Sequence, residues 1–185
     1  MPRVSWRNTR DTYGWVAMIL HWLMALMIFA MFGLGLWMRT LGYYDPWYHA
    51  APALHKSAGM LLLLLLLLRW LWRVVNVRPA LIGAPWERQL ALSVHRLHYL
   101  LLFALMITGY LIPTAEGVGI EIFDWVTVPA LMVLSKPVTE AVGLLHRDLA
   151  WAVMALATLH AAAALMHHFR RHDMTLRRML GMPQD

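Results

Sequence analysis

Four histidines stand in the most apolar stretches of this chain. They are His21 in ILHWLMALMIFAMF, His55 in ALHKSAGMLLLLLLLLRW, His146 in LLHRDLAWAV and His160 in ALATLHAAAALMHHF. An imidazole in hydrocarbon forms hydrogen bonds, passes protons or binds a metal through a ring nitrogen. The spacing narrows the choice. His146 and His160 are 14 residues apart, which on a helix returns both to within ~40° of one face, with ~21 Å of rise between them. The same offset links His21 to Gly35 and His55 to Arg69. The sequence contains no cysteine, which excludes thiolate metal sites, iron–sulfur clusters, disulfides and thioether-linked cofactors.

These residues need elements to hold them. The 185 residues are 61% hydrophobic and 14% charged, well below the charge of a soluble domain. Four apolar runs, about 13–38, 50–68, 97–112 and 144–169, are predicted to be transmembrane helices of a single membrane-integral domain spanning residues 1–185. The third run is short for a bilayer. The first is too long for a cleaved signal and lacks a convincing small-residue cleavage site. The stretch GVGIEIFDWVTVPALMVLS is rejected as a fifth span, because Glu121, Asp124 and Pro129 interrupt it. It is expected to be an outer loop, with an interfacial helix as one form it can take.

Charge sets the orientation. With four spans, one side receives Arg3, Arg7, Arg10, Arg69, Arg73, Arg78, Arg88, Arg96, Arg170, Arg171, Arg177 and Arg178, and the other only Arg39, Lys56, Lys136 and Arg147. Twelve cations against four place both termini in the cytoplasm. The net charge of +6 thus reports topology, and no nucleic-acid partner is expected. The expected fold class is all-α, a four-helix transmembrane bundle in a bacterial cytoplasmic membrane, with lipid as its surroundings.

With orientation fixed, residue number reads as depth. His21 and His160 lie near the cytoplasmic surface, and His55 and His146 near the outer one. Two opposed imidazoles at each level are what two six-coordinate hemes require. Gly35 lets the backbone approach an outer macrocycle, and Arg69 lies where an inner propionate would be. Ordinary helix packing also explains a single small residue. No Asp or Glu falls well inside a span, which weighs against an ion or proton transporter.

The stretches ILHWLMALMIFAMF, ALHKSAGMLLLLLLLLRWLWR, VHRLHYLLLFALMITGYL and LLHRDLAWAVMALATLHAAAALMHHF resemble the prokaryotic cytochrome b561 family, in order and over nearly the whole chain. The resemblance implies a four-helix membrane protein with two heme b groups. His21 and His160 would ligate the cytoplasmic-side iron, and His55 and His146 the outer one. It further implies transmembrane electron transfer to membrane quinone, ubiquinone in the first place, from an outer donor that is superoxide or a redox protein. Related cytochrome b subunits serve hydrogenases and formate dehydrogenases, so a heme-bearing membrane anchor for a partner oxidoreductase is the alternative. The chain departs from the best-known members in its longer arginine-rich N-terminus and in its own acidic loop between the third and fourth spans.

The other histidines lie around these four. His167 is seven residues past His160, ~20° off the same stripe. It is expected to meet a quinone oxygen, or else a headgroup or propionate. His168 turns toward headgroups. His95 and His98 share one face at the start of the third span. They are read as quinone or propionate contacts, or as a replacement for His21. They look shallow for that last role. His49 and His172 are expected in solvent. Lys56 and Arg147 follow the outer histidines directly and either snorkel at the interface or attract an anionic donor.

Overall fold

The structure is a computed structural model and describes residues 5–182. Arg3 lies outside the described residues. Four long helices dominate: α1 (Trp15–Met38), α2 (Ala50–Val75), α3 (Pro85–Thr114) and α4 (Lys136–Arg170). Each is long and apolar enough to cross a membrane. Two short strands, β1 (Ile120–Ile122) and β2 (Val126–Val128), form an antiparallel hairpin between α3 and α4, and a short α5 (Thr175–Met179) follows α4.

The helices outrun the apolar runs that announce them. α3 begins at Pro85, where proline costs no hydrogen bond, and the Glu87 carboxylate accepts from the Ala84 N–H at 2.8 Å. The helix is therefore wound well before it becomes apolar, and the short third run is only its middle. α2 continues past its leucines through Arg69 and Arg73 to Val75. α4 starts at Lys136, with Pro137 in its first turn.

One end of the bundle gathers the N-terminal segment, the α2–α3 loop and the C-terminal tail. Ala80 N–H donates to the Arg10 carbonyl at 2.7 Å, and Asn8 donates to the Val77 carbonyl at 2.9 Å. The Arg178 guanidinium donates to the Ala80 carbonyl at 2.9 Å, and the Trp22 indole N–H to the Met179 carbonyl at 2.8 Å. Arg171 pairs with Glu87. This end is the terminal face of the bundle.

The hairpin closes the opposite end, and here an expectation is corrected. The loop forms neither a span nor an interfacial helix between residues 120 and 128, but paired strands. Its turn places Phe123 and Asp124 at φ 48° and 58°, a left-handed conformation that aspartate tolerates and phenylalanine rarely adopts. Ser57, buried on α2, holds the turn in place. It accepts from the Phe123 N–H at 3.1 Å and donates to the Glu121 carbonyl at 3.2 Å. Tyr110 on α3 donates to the Pro129 carbonyl at 2.7 Å and accepts from the Leu131 N–H at 2.9 Å.

Between the two ends lies an apolar layer to which all four helices contribute: Met24, Leu62, Leu66, Leu102, Leu105 and Val153. The leucine run divides by helical period. Leu62 and Leu66 are buried, while Leu61, Leu64, Leu67 and Leu68 are exposed on the outside of the bundle, where lipid serves as well as protein.

Candidate functional site

The four intramembrane histidines meet in two pairs, one at each side of the apolar layer. His21 of α1 faces His160 of α4 with ring centroids 6.3 Å apart and planes at 75°. His55 of α2 faces His146 of α4 at 6.5 Å and 79°. The 14-residue offset along α4 thus carries one ring to each level, as the spacing predicts.

The hairpin-face pair is tightly seated. A Cβ on Gly35 would stand 3.3 Å from the His55 Cε1, so the glycine eases the close approach of α1 to that ring. Position 109 of α3 is tighter still, where a Cβ would lie 2.9 Å from the His146 Cε1. The His146 Nδ1 is 3.1 Å from the Leu105 carbonyl and 3.1 Å from the Thr108 hydroxyl. A carbonyl only accepts, so Nδ1 carries the proton and Nε2 is bare. The Thr108 hydrogen is committed to the Ala104 and Leu105 carbonyls, both at 2.9 Å, which leaves its oxygen to accept from His146. The His55 Nδ1 is buried with no hydrogen-bond partner among the described residues, a situation costing about 1–3 kcal/mol. Ile28, Met31, Phe32, Met106 and Val153 line the apolar cavity between the two rings.

Gly109 and Thr108 are missing from the sequence reading. One signal pointed to the glycine, which is the only one in the thirty residues of α3, at a position where glycine costs a helix about 1 kcal/mol. Gly59, by contrast, meets only the Met31 side chain at 3.6 Å, so it serves ordinary helix packing.

The terminal-face pair is crowded. His95 and His98 of α3 reach His160, with centroids at 5.6 and 5.4 Å. The shallow depth read from the sequence is therefore corrected, because the early start of α3 brings both rings level with His160. The His98 Nδ1 is 2.9 Å from the Val94 carbonyl. Arg69 acts electrostatically on His21, His95, His98 and His160, and Arg73 on His95. Arg73 also stands over the Tyr99 ring at 5.5 Å. Among the described residues these histidines do not converge as a ligand set for a bare metal ion.

Beyond that cluster, His167 pairs with Asp173 through Nδ1 and Oδ2, and the other carboxylate oxygen accepts from the Thr175 N–H at 2.9 Å. The turn after α4 creates this contact. Burial of the Asp173 carboxyl opposes its charge, but the hydrogen bonds from His167 and Thr175 outweigh it and hold the group below its ordinary value. His168 is half-buried, with its Nδ1 covered and its ring 4.8 Å from that of Phe169, rather than free at the surface. His49 and His172 are exposed, as expected. Arg147 is spent on Asp148 at 2.8 Å, while Lys56 is exposed and has no acidic partner among the described residues.

Opposed imidazoles, one of them, His146, with its Nε2 bare, are donors for a metal held between them. Similarity points to the same chemistry. Residues 12–182 match the prokaryotic cytochrome b561 family. The chain is 47% identical over 180 residues to "Cytochrome b561 homolog 2" of Escherichia coli (strain K12), covering 96% of each chain. It is 29% identical over 171 residues to "Probable superoxide oxidase CybB" of Yersinia pestis, covering 91% of this chain and 95% of that one. A family match over almost the full length, four membrane-capable helices and paired intramembrane histidines agree. The chain belongs to the prokaryotic cytochrome b561 family, multi-pass proteins of the bacterial inner membrane that bind b-type heme and carry electrons across the bilayer.

Proposed function

We propose that the protein holds two b-type hemes and passes electrons from an outer donor to quinone on the cytoplasmic side. The ring spacing carries this reading. Two metal–nitrogen bonds of about 2 Å, plus about 1 Å from each nitrogen to its ring centre, set opposed imidazoles about 6 Å apart across one metal. The His21–His160 and His55–His146 separations of 6.3 and 6.5 Å fit that requirement. His95 and His98 stand 5.6 and 5.4 Å from His160, and it is the motif resemblance that favours His21 over them as its partner. The glycine seats at Gly35 and Gly109 and the bare His146 Nε2 suit the group as well.

The heme supplies one-electron redox chemistry, and the chain supplies ligands, placement and charge. Arg69 is suited to hold a propionate at the terminal face. The arginine excess there makes it the cytoplasmic face, with both termini inside and residues 1–185 forming one domain. His167 is the contact for the quinone oxygen. Asp173 fixes its Nδ1–H, so Nε2 faces the substrate and exchanges protons with cytoplasmic water. His95 and His98 are the further polar contacts at that level.

Superoxide is the outer donor. Two superoxide ions give up one electron each and leave as dioxygen. The quinone takes both electrons and two cytoplasmic protons to become the quinol. Lys56 beside His55 is the cation that attracts the anion. Relatedness to a probable superoxide oxidase supports this donor. Rapid mixing of superoxide with the oxidised, heme-loaded protein is expected to reduce heme far faster than it does in an unrelated di-heme protein. Equal rates overturn superoxide as donor. Co-purification of an oxidoreductase subunit would then favour the membrane-anchor role.

A further inference from the structure

We propose that residues 129–133 are seated at the acyl–headgroup boundary of the leaflet on the hairpin side, held at that depth by Tyr110, so that the hairpin rests on the bilayer. The partner of this surface is phospholipid.

The Tyr110 contacts set the depth. Tyr110 stands four residues before Thr114, the last residue of α3, about 6 Å back from the helix end. It also lies inside the apolar run 97–112. Side chains on a helix lean toward its N-terminus, which for α3 is away from the hairpin. The Tyr110 hydroxyl donates to the Pro129 carbonyl at 2.7 Å and accepts from the Leu131 N–H at 2.9 Å. After β2 the chain therefore drops back to the level of the apolar helix. It climbs again to residue 134, where the Leu134 N–H donates to the Ala115 carbonyl at 2.9 Å. Non-helical backbone near hydrocarbon needs its polar groups satisfied. Tyr110 satisfies two of them, and Pro129 has no N–H to satisfy.

What the segment displays at that level is apolar. Leu131 is 78% exposed, Met132 53% and Val133 73%. Ile107, one turn deeper than Tyr110 on the same face of α3, is 56% exposed. A membrane-crossing helix meets lipid on such a face, and this apolar surface continues from Ile107 past Tyr110 onto the segment. The hairpin has the opposite chemistry. Ile120 is buried toward the bundle, while Glu121 and its cross-strand partner Thr127 point to the other side and are exposed. Asp124 at the turn is exposed as well. The outward face of the hairpin suits water, so the boundary between water and lipid falls between it and Leu131. Apolar side chains at such a boundary bury themselves among acyl chains.

The test uses the heme-loaded protein in vesicles of phosphatidylethanolamine and phosphatidylglycerol. The chain has no cysteine, so Leu131→Cys and Met132→Cys each give one site for a nitroxide label, with Ile107→Cys as the lipid reference and Thr127→Cys as the water reference. Collisions of each label with dioxygen, which concentrates in lipid, and with a water-soluble nickel chelate are measured by electron spin resonance. Unchanged reduced b-type bands confirm an intact bundle. Labels at 131 and 132 are expected to favour dioxygen, like the one at 107, and the label at 127 to favour nickel. Adding Tyr110→Phe to Met132→Cys is expected to raise nickel collisions several-fold. Nickel-favouring labels at 131 and 132 overturn the inference. Labels shielded from both reagents also overturn it, because a partner protein or a second copy would then cover the segment. If Tyr110→Phe changes nothing, Tyr110 does not hold the depth and the inference falls with it.

Discussion

The two histidine pairs have almost the same ring spacing and very different surroundings. At the hairpin face two imidazoles stand alone, each pressed against a glycine of a neighbouring helix, and one has its proton fixed by α3. At the terminal face the pair shares its space with two more imidazoles and two arginines. The comparison teaches that α4 sets the two levels at which rings stand, while α3 gives each level different neighbours. One end of α3 holds an imidazole still, and the other surrounds one with polar groups.

The comparison breaks most visibly if a ligand is removed. His55→Ala or His146→Ala is expected to drop pyridine-extractable heme from two per chain to one and leave the other site's bands in place. Loss of both, or of neither, would mean that the levels are not separate sites. The crowded end tests selection among four rings. His21→Ala should lose the cytoplasmic-side heme, whereas His95→Ala and His98→Ala should retain two hemes with altered quinone reduction. A heme lost in His95→Ala and kept in His21→Ala would reassign the ligand.

The glycine seats give a graded comparison. Gly109→Ala forces a Cβ to 2.9 Å from the His146 ring. Overpacking of that kind costs about 1–3 kcal/mol, so outer heme occupancy is expected to fall several-fold. Gly35→Ala, with contact at 3.3 Å, needs only a small ring shift and is expected to remain near wild type. Equal losses would show that the two seats do not differ as described.

The smallest effect concerns the Asp173 turn. Its carboxyl titrates below the ordinary value, so its contribution is present above the unfolded-state value, about 3.9, and is lost as pH falls through the folded-state value. Amide exchange at Thr175, measured through that acidic window, is expected to speed up relative to amides in the apolar layer, and Asp173→Asn should remove the pH dependence.

Much of this architecture is legible in the sequence because it follows from hydropathy and helical period. The spans, and with the arginine count the matching depths of His21 with His160 and of His55 with His146 and the level of Gly35, follow from those two regularities; that Gly35 meets the His55 ring itself does not. Contacts made through a third element or a turn are not legible. Three-residue strands are too short to show alternation, so the 120–128 hairpin reads only as an interrupted loop. Asp173 meets His167 because the chain reverses after α4. Thr108 and Gly109 act on a ring 38 and 37 residues away in sequence, and no periodicity along α3 points to it. His95 and His98 look shallow only because the apolar run starts later than the helix, which Pro85 and Glu87 open early.

Because α4 carries a ring of both pairs, it acts as a single axle through the molecule. A turn of that rod swings both rings through the same angle, so neither site can be realigned by it alone. One residue inserted between His146 and His160 would rotate the far ring by about 100° and advance it by about 1.5 Å, turning it out of register with its mate on α1 or α2. Evolution can thus adjust the surroundings of each ring separately, through α3 and the loops, but the phase between the two rings is fixed by the length of chain that joins them.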